Sequence, residues 1–286
     1  MRYNVRQAFG GRHMEKKKTK KKMRRKTQRL LISILVGLLL VVFLFAGYKL
    51  YTIAHEYRVA QRSYNKLSDS FVSDGDPSAL PALPGGDGSE NSPDLADPSP
   101  ISVDFDALLA QNTDVKGWLY SEGTVINYPV MQSLDNDFYL HRLYDKSYNA
   151  SGSLFIDYLC PGDFSGDIAI IYGHHMNDGS MFASLGNYRN QEYYEEHPVM
   201  YLNTPNGNYR VDLFSGFITA ADSTVYTVRF ANDEAYQAYL LKMKAFSDFE
   251  CDVTPTVDDH IIVLSTCTYE YNDARYVVFG KLTPTR

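Results

Sequence analysis

The chain has 286 residues, of which 22% are charged, 44% hydrophobic and 14% aromatic, with a net charge of −6. That charge is unevenly spread: residues 1–29 hold thirteen Lys and Arg against one acid, while the rest holds fifteen basic and thirty-three acidic side chains, a net of −18. So acidic a bulk excludes nucleic acid as a partner, no fixed period repeats along the chain, and no His, Cys, Asp and Glu fall at metal-site spacing, so no metal or other cofactor is expected.

In chain order, residues 1–29 read as a basic cytoplasmic tail whose charge is a topology signal beside anionic lipid. Residues 30–50 read as a transmembrane signal-anchor helix. Within them, Leu30–Tyr48 is apolar except for Ser33 and Tyr48, long enough to cross a hydrocarbon core. The positive flank stays inside, so the C-terminal bulk lies outside the cell membrane in a single-pass arrangement. A cleaved signal peptide is the rival reading; against it, the apolar run is longer than a signal's core and no small-x-small site follows it before Tyr48.

Residues 51–100 read as a juxtamembrane segment and linker. Residues 51–72 continue as a mixed-charge helix. Over 73–100, Asp, Pro, Gly and Ser dominate, and Pro77, Pro81, Pro84, Pro93, Pro98 and Pro100 break regular structure, which predicts a flexible stalk. Residues 101–286 have the length of one domain with a single core. Short apolar runs separated by Gly, Asn, Asp and Pro predict a β-rich α+β fold. Two helices are expected, over Asp104–Gln111 and over Asn232–Phe249, the latter with apolar residues at 235, 236, 239, 240, 243 and 246, close to the helical period.

The chemistry gathers at strand ends. Ile261–Leu264 predicts a buried strand that leads to Cys267, and Tyr276–Phe279 predicts the next, with Arg275 at its entrance. If the two pair, thiol and guanidinium meet at one sheet edge, a combination suited to acyl transfer: a thiolate attacks a carbonyl and a fixed cation stabilises the oxyanion. Ile168–Gly173 predicts another strand, ending in His174 and His175, and a Cys and a His distant in sequence are the expected partners of a nucleophilic thiol. Each has a plainer reading. A free cysteine is most often a small buried hydrophobe, and an arginine at a strand end often only pairs with a carboxylate. His175 stands as the alternative to His174. Packing suffices for His141, His197 and His260. Cys160 and Cys251 read as unpaired structural thiols rather than a disulfide, and Asp273 either orients Arg275 or His174 or is a solvated turn residue.

Tyr172-Gly173-His174-His175-Met176 and Leu264-Ser265-Thr266-Cys267, followed by Arg275, resemble the corresponding segments of sortases, the cysteine transpeptidases of Gram-positive cell surfaces, and class B most closely. The resemblance spans roughly residues 104–283 and includes Gly117-Trp118-Leu119, Asn127-Tyr128-Pro129-Val130, Asp135 to Leu140 and Gly179-Ser180-Met181-Phe182. It implies an eight-stranded β-barrel with peripheral helices, the long helix lying between the sixth and seventh strands. It further implies Cys267 as nucleophile, His174 and Arg275 as its catalytic partners, and Ser265 and Asn127 as residues lining the substrate groove. The implied reaction cleaves a C-terminal sorting motif after Thr in secreted proteins and passes the acyl group to an amine of peptidoglycan or its lipid-linked precursor. The alternatives are a pilin-polymerising sortase, a membrane-tethered cysteine peptidase, and a degenerate sortase-fold binding module.

Overall fold

The computed structural model describes residues 10–75, 96–268 and 270–285. The chain divides into two compact units, Met1–His55 and Glu56–Arg286. Helix α1 covers Gly10–Phe71. Within the first unit its Leu30–Phe45 side chains are exposed, and the helix is long and apolar enough to cross a membrane.

The second unit opens with the last turns of α1. Ala60, Tyr64 and Leu67 are buried there, at spacings of four and three that place them on one helix face. Tyr64 meets the ring of Tyr128 edge-on, with ring centroids 5.2 Å apart. Strand β1 (Val72–Asp74) then pairs antiparallel with β2 (Ile101–Val103), Val72 opposite Val103. Residues 56–75 therefore pack with the barrel domain, where the sequence predicts a mixed-charge helix over 51–72 and the start of the stalk from 73. Three buried side chains among many polar ones give too weak an amphipathic signal to read. The central part of the predicted stalk, residues 76–95, lies outside the described residues.

Helix α2 (Phe105–Gln111) is capped by Asp104, whose carboxylate accepts from the Ala107 N–H at 3.0 Å. The barrel strands follow: β3 (Val115–Tyr120), β4 (Asn127–Met131), β5 (Leu154–Ile156), β6 (Ile168–Tyr172), β7 (Val199–Thr204), β8 (Gly207–Ala220), β9 (His260–Cys267) and β10 (Ala274–Pro284). They close in the order β10-β8-β7-β3-β4-β5-β6-β9. Short helix α3 (Gln191–Glu196) precedes β7. Helix α4 (Asp233–Ala245), capped by Asn232, lies between the sixth and seventh barrel strands, β8 and β9. It buries Tyr236, Tyr239, Leu240 and Met243, the face predicted by the apolar period.

Strands β6 and β9 lack a solvent face over most of their length. Ile168–Ile171 of β6 and Ile261–Thr266 of β9 are buried throughout, and the two pair in parallel. Continuous β-branched and apolar sequence is what such central strands require. The functional segments begin where these two buried strands end.

Since Leu67 is almost fully buried, Leu67→Ala should cost ~2–5 kcal/mol of unfolding free energy in a chain beginning at Glu56, read from denaturant melts. A null effect would mean that the helix adds nothing to the stability of the barrel unit.

Candidate active site

Strands β9 and β10 are antiparallel neighbours, and their register sets Arg275 directly opposite Cys267. The parallel ladder between β6 and β9 runs to Tyr172 opposite Ser265, and the Gly173 N–H extends it by donating to the Ser265 carbonyl at 3.1 Å. The chain therefore delivers His174 at the barrel end that carries Cys267. Gly173 is required by close approach: a Cβ there would lie 2.5 Å from Leu154 Cδ2 and 2.6 Å from Phe182 Cδ2.

Cys267 is a free, half-buried thiol. Arg275 is half-buried as well, and one of its Nη atoms donates to the Ala274 carbonyl at 3.1 Å. Among the described residues no carboxylate forms a salt bridge with it. Asp273, the nearby acid, is exposed with φ 60°, and its backbone carbonyl accepts from the Ala221 N–H at 3.0 Å. No bond from its side chain to Arg275 or His174 is formed.

His174 packs inward. Its Nε2 lies 2.7 Å from the Leu140 carbonyl oxygen. A carbonyl only accepts, so Nε2 carries the proton and, in the neutral ring, Nδ1 keeps the free lone pair. The His141 ring stacks on it, centroids 5.7 Å apart and planes 21° from parallel. Burial pulls the His174 pKa below the ordinary histidine value, the Leu140 hydrogen bond pushes it upward, and His141 lowers it further. Sequence alone gives His141 no catalytic context, yet its ring is a direct neighbour of His174. The Asp135–Leu140 motif lies just before it, but a backbone carbonyl leaves no signature in side-chain types.

Ser265 is buried, and its hydroxyl lies 3.0 Å from the Tyr226 hydroxyl. Burial raises the Tyr226 pKa, the Ser265 hydrogen bond and then the Arg275 charge lower it, and Cys267 raises it. Tyr226 is thus electrostatically coupled to both candidates. The Tyr172 ring is 6.2 Å from Tyr226. Asn127 is engaged elsewhere: its Oδ1 accepts from Trp118 Nε1 at 2.6 Å and its Nδ2 donates to Ser68 Oγ at 3.1 Å. The structure therefore gathers Cys267, Arg275, Ser265 and His174 at one barrel end, and commits the Asn127 amide to the contact between β4 and α1.

The residue after each catalytic candidate faces a different space. His175, Thr268 and Tyr276 line an open groove of ≈ 920 Å³ together with Arg189 and Glu270. The alternation of side chains along extended backbone produces this split. His175 forms an isolated bridge with Met181 and is among the residues lining the groove. At the groove, Arg189 pairs with Glu270 and donates to Thr268 Oγ1 at 3.0 Å, and its guanidinium lies 5.1 Å from the Tyr276 ring centroid. The Arg189 and Thr268 hydrogen bonds hold the Glu270 carboxyl down at about 2.

His197, His260 and the other two cysteines make structural contacts. His197 Nδ1 meets the Glu122 carbonyl at 3.1 Å and His260 Nδ1 the Gly166 carbonyl at 3.0 Å. Cys160 and Cys251 are free thiols; burial pushes Cys160 up to about 11, and Cys251 donates to the Phe214 carbonyl at 3.4 Å.

The sortase domain family matches residues 122–283. Sortase B of Listeria monocytogenes is 38% identical over 177 residues, 61% of this chain and 72% of that protein. Sortase B of Staphylococcus aureus is 30% identical over 247 residues, 86% of this chain and 93% of that protein. Among solved structures, sortase B of Bacillus anthracis in complex with AAEK1 gives a TM-score of 0.66 at 29% identity, covering 81% of this chain and 100% of that one. The Staphylococcus aureus sortase B–substrate complex gives 0.61 at 34% identity, covering 64% and 85%. With its closed eight-stranded barrel and this agreement along most of its length, the chain belongs to the sortase family of cysteine transpeptidases, in class B.

Proposed function

We propose that this sortase cleaves a sorting motif after Thr in secreted proteins and transfers the acyl group to a cell-wall amine. Cys267 is the nucleophile, His174 the proton carrier and Arg275 the oxyanion donor. The observation that carries the assignment is the direct cross-strand pairing of Arg275 with Cys267. A guanidinium held opposite a thiol, with no carboxylate bridged to it among the described residues, has donors to offer a substrate carbonyl.

In the first step the Cys267 thiolate attacks the Thr carbonyl carbon. Negative charge builds on the carbonyl oxygen, and Arg275 stabilises it. Collapse breaks the C–N bond, forms the thioester, and releases an amine that takes its proton from His174. In the second step an acceptor amine gives a proton to His174, attacks the thioester carbon and expels the Cys267 thiolate. Because Nε2–H of His174 is bound to the Leu140 carbonyl, Nδ1 is the atom through which these protons pass. A lowered His174 pKa suits a group that must surrender its proton, and in such a thiol–imidazole pair the titration belongs to both groups.

Acceptor choice separates this reading from two others that share its catalytic centre, pilin polymerisation through a lysine and hydrolysis by water. The wall amine is favoured by the relation to the sortase B proteins. We also place the basic tail in the cytoplasm, the apolar part of α1 in the membrane and the barrel outside the cell, on the strength of the charge asymmetry and the helix length.

Cys267→Ala should abolish thioester formation, seen as the loss of a covalent adduct by intact-protein mass spectrometry. Arg275→Lys should lower kcat/KM by about 10²–10³, and His174→Ala should be similarly impaired while His175→Ala retains most activity. Near-normal turnover by Arg275→Ala would remove it from the mechanism. Incubation with a sorting peptide should give slow hydrolysis, and adding a wall-derived amine should divert the acyl group into a ligated product of predictable mass. Ligation only to a pilin lysine would assign polymerase activity, and hydrolysis alone across all amines would assign a peptidase. For topology, protease added to intact protoplasts should digest residues 101–286; full protection of that region would reverse the orientation.

A further inference from the structure

We propose that Tyr64, on the last turns of α1, is a positioning residue for His174, acting through Ser153 and the Tyr139–Arg142 turn. The argument begins at the acceptor that His174 uses. Leu140 O lies in a turn whose neighbouring carbonyls are each held by another group. Tyr139 O accepts from the Ser153 N–H at 3.0 Å and His141 O from the Asn149 N–H at 3.0 Å. Arg142 O accepts from the Ser153 hydroxyl at 2.8 Å. With 139, 141 and 142 anchored, the orientation of the Leu140 carbonyl is fixed, and it points to His174 Nε2 at 2.7 Å.

The 149–153 segment that does the anchoring is itself held by α1. The Tyr64 hydroxyl donates to Gly152 O at 2.6 Å and lies 2.9 Å from Ser153 Oγ. Asn149 Nδ2 donates to the Glu56 carbonyl at 3.1 Å. Tyr64 and Ser153 are both buried, so these bonds are shielded from competing water. The fit between the segments is tight. Gly152 has φ +57°, and a Cβ there would collide with Leu140 O and approach Tyr139 O to 2.8 Å. A shift of the 149–153 segment is therefore transmitted to the Leu140 carbonyl rather than absorbed by empty space.

The helix makes another contact that does not lead to this turn, from Ser68 Oγ to Asn127 on β4, and that contact supplies the control. The inference rests on the reading of His174 as the proton carrier, so the test observes the histidine both at rest and in turnover. In the full chain, solubilised in detergent and labelled with ¹⁵N-histidine, the His174 Nε2–H proton should give a hydrogen-bonded resonance. Tyr64→Phe keeps the ring packed and removes only the hydroxyl. It should move that resonance and lower kcat for peptide cleavage by about three- to ten-fold, with KM little changed. Ser153→Ala should do the same, and it is the variant to read if Tyr64→Phe fails to fold. Ser68→Ala should leave both the resonance and kcat at wild-type values. If Tyr64→Phe and Ser153→Ala lower only the melting midpoint, with resonance and kcat unchanged, Tyr64 is structural and the proposal is overturned. If the resonance moves but kcat does not, the proton-carrying role of His174 fails instead, and the positioning role falls with it.

Discussion

The pairing of β9 with β10 is the constraint on which the catalytic reading depends. Side chains alternate with a period of two along each strand, so a slip of one residue would replace Cys267 by Thr266 or Thr268 and Arg275 by Ala274 or Tyr276. Two features prevent the slip. Ile261–Leu264 are inaccessible to solvent, so a slip would disturb their packing along the whole strand. Strand β10 is also held on its other edge, pairing with β8 from Ala274 to Pro284 through an irregularity at Phe279 and Gly280. A bulge marks one register and no other. The proposed nucleophile and oxyanion donor thus inherit their geometry from the core of the barrel.

The same alternation explains why the barrel end has two sides. His174, Cys267 and Arg275 each precede a residue that lines the ≈ 920 Å³ groove: His175, Thr268 and Tyr276. The ends of β6, β9 and β10 act as a wall between the groove and the candidate centre. Arg189 spans that wall's outer face by joining Glu270 and Thr268 of the β9–β10 loop. Exposed ion pairs contribute only ~0–1 kcal/mol, so this network adds little to global stability. Its effect is local, holding the loop between Cys267 and Arg275 to the segment that follows the His174 loop.

Much of this was legible in the sequence, for reasons that differ from residue to residue. The buried strands could be read because unbroken β-branched runs have few other uses, α2 because Asp104 is suited to cap it, and α4 because its apolar residues recur at the helical period. Cys267 and Arg275 could be read because their separation fits one tight antiparallel connection. The burial of Ala60, Tyr64 and Leu67 could not, because three core-facing residues are diluted by the charged side chains around them. Asn127 shows a different limit. A polar residue inside a recognisable motif suggests substrate contact, yet here Trp118 Nε1 and Ser68 Oγ occupy its amide. Motif membership does not say which neighbour a side chain will find. The Leu140 carbonyl is harder still, since any residue type at position 140 would supply one.

That a carbonyl, rather than a carboxylate, holds His174 has a chemical consequence. A carboxylate at Nε2 would fix the same tautomer but stabilise the imidazolium with a full charge, raising the pKa by one unit or more. The neutral carbonyl fixes the tautomer with a smaller upward push, which burial outweighs. Stacking against His141 at 5.7 Å works in the same direction as burial, because positive charge on one imidazole disfavours positive charge on the other. In the proposed cycle His174 must protonate a leaving amine and then accept a proton from an entering one, so a ring that binds its proton too firmly would stall the first step. A dipole that orients without strongly charging the ring meets both demands. It also makes the direction of that dipole matter, since a carbonyl turned away from Nε2 leaves the ring free to rotate and to change tautomer. The backbone around Leu140 accordingly has little freedom: its neighbours are hydrogen-bonded on both sides, and Gly152 is packed against it with no room for a side chain.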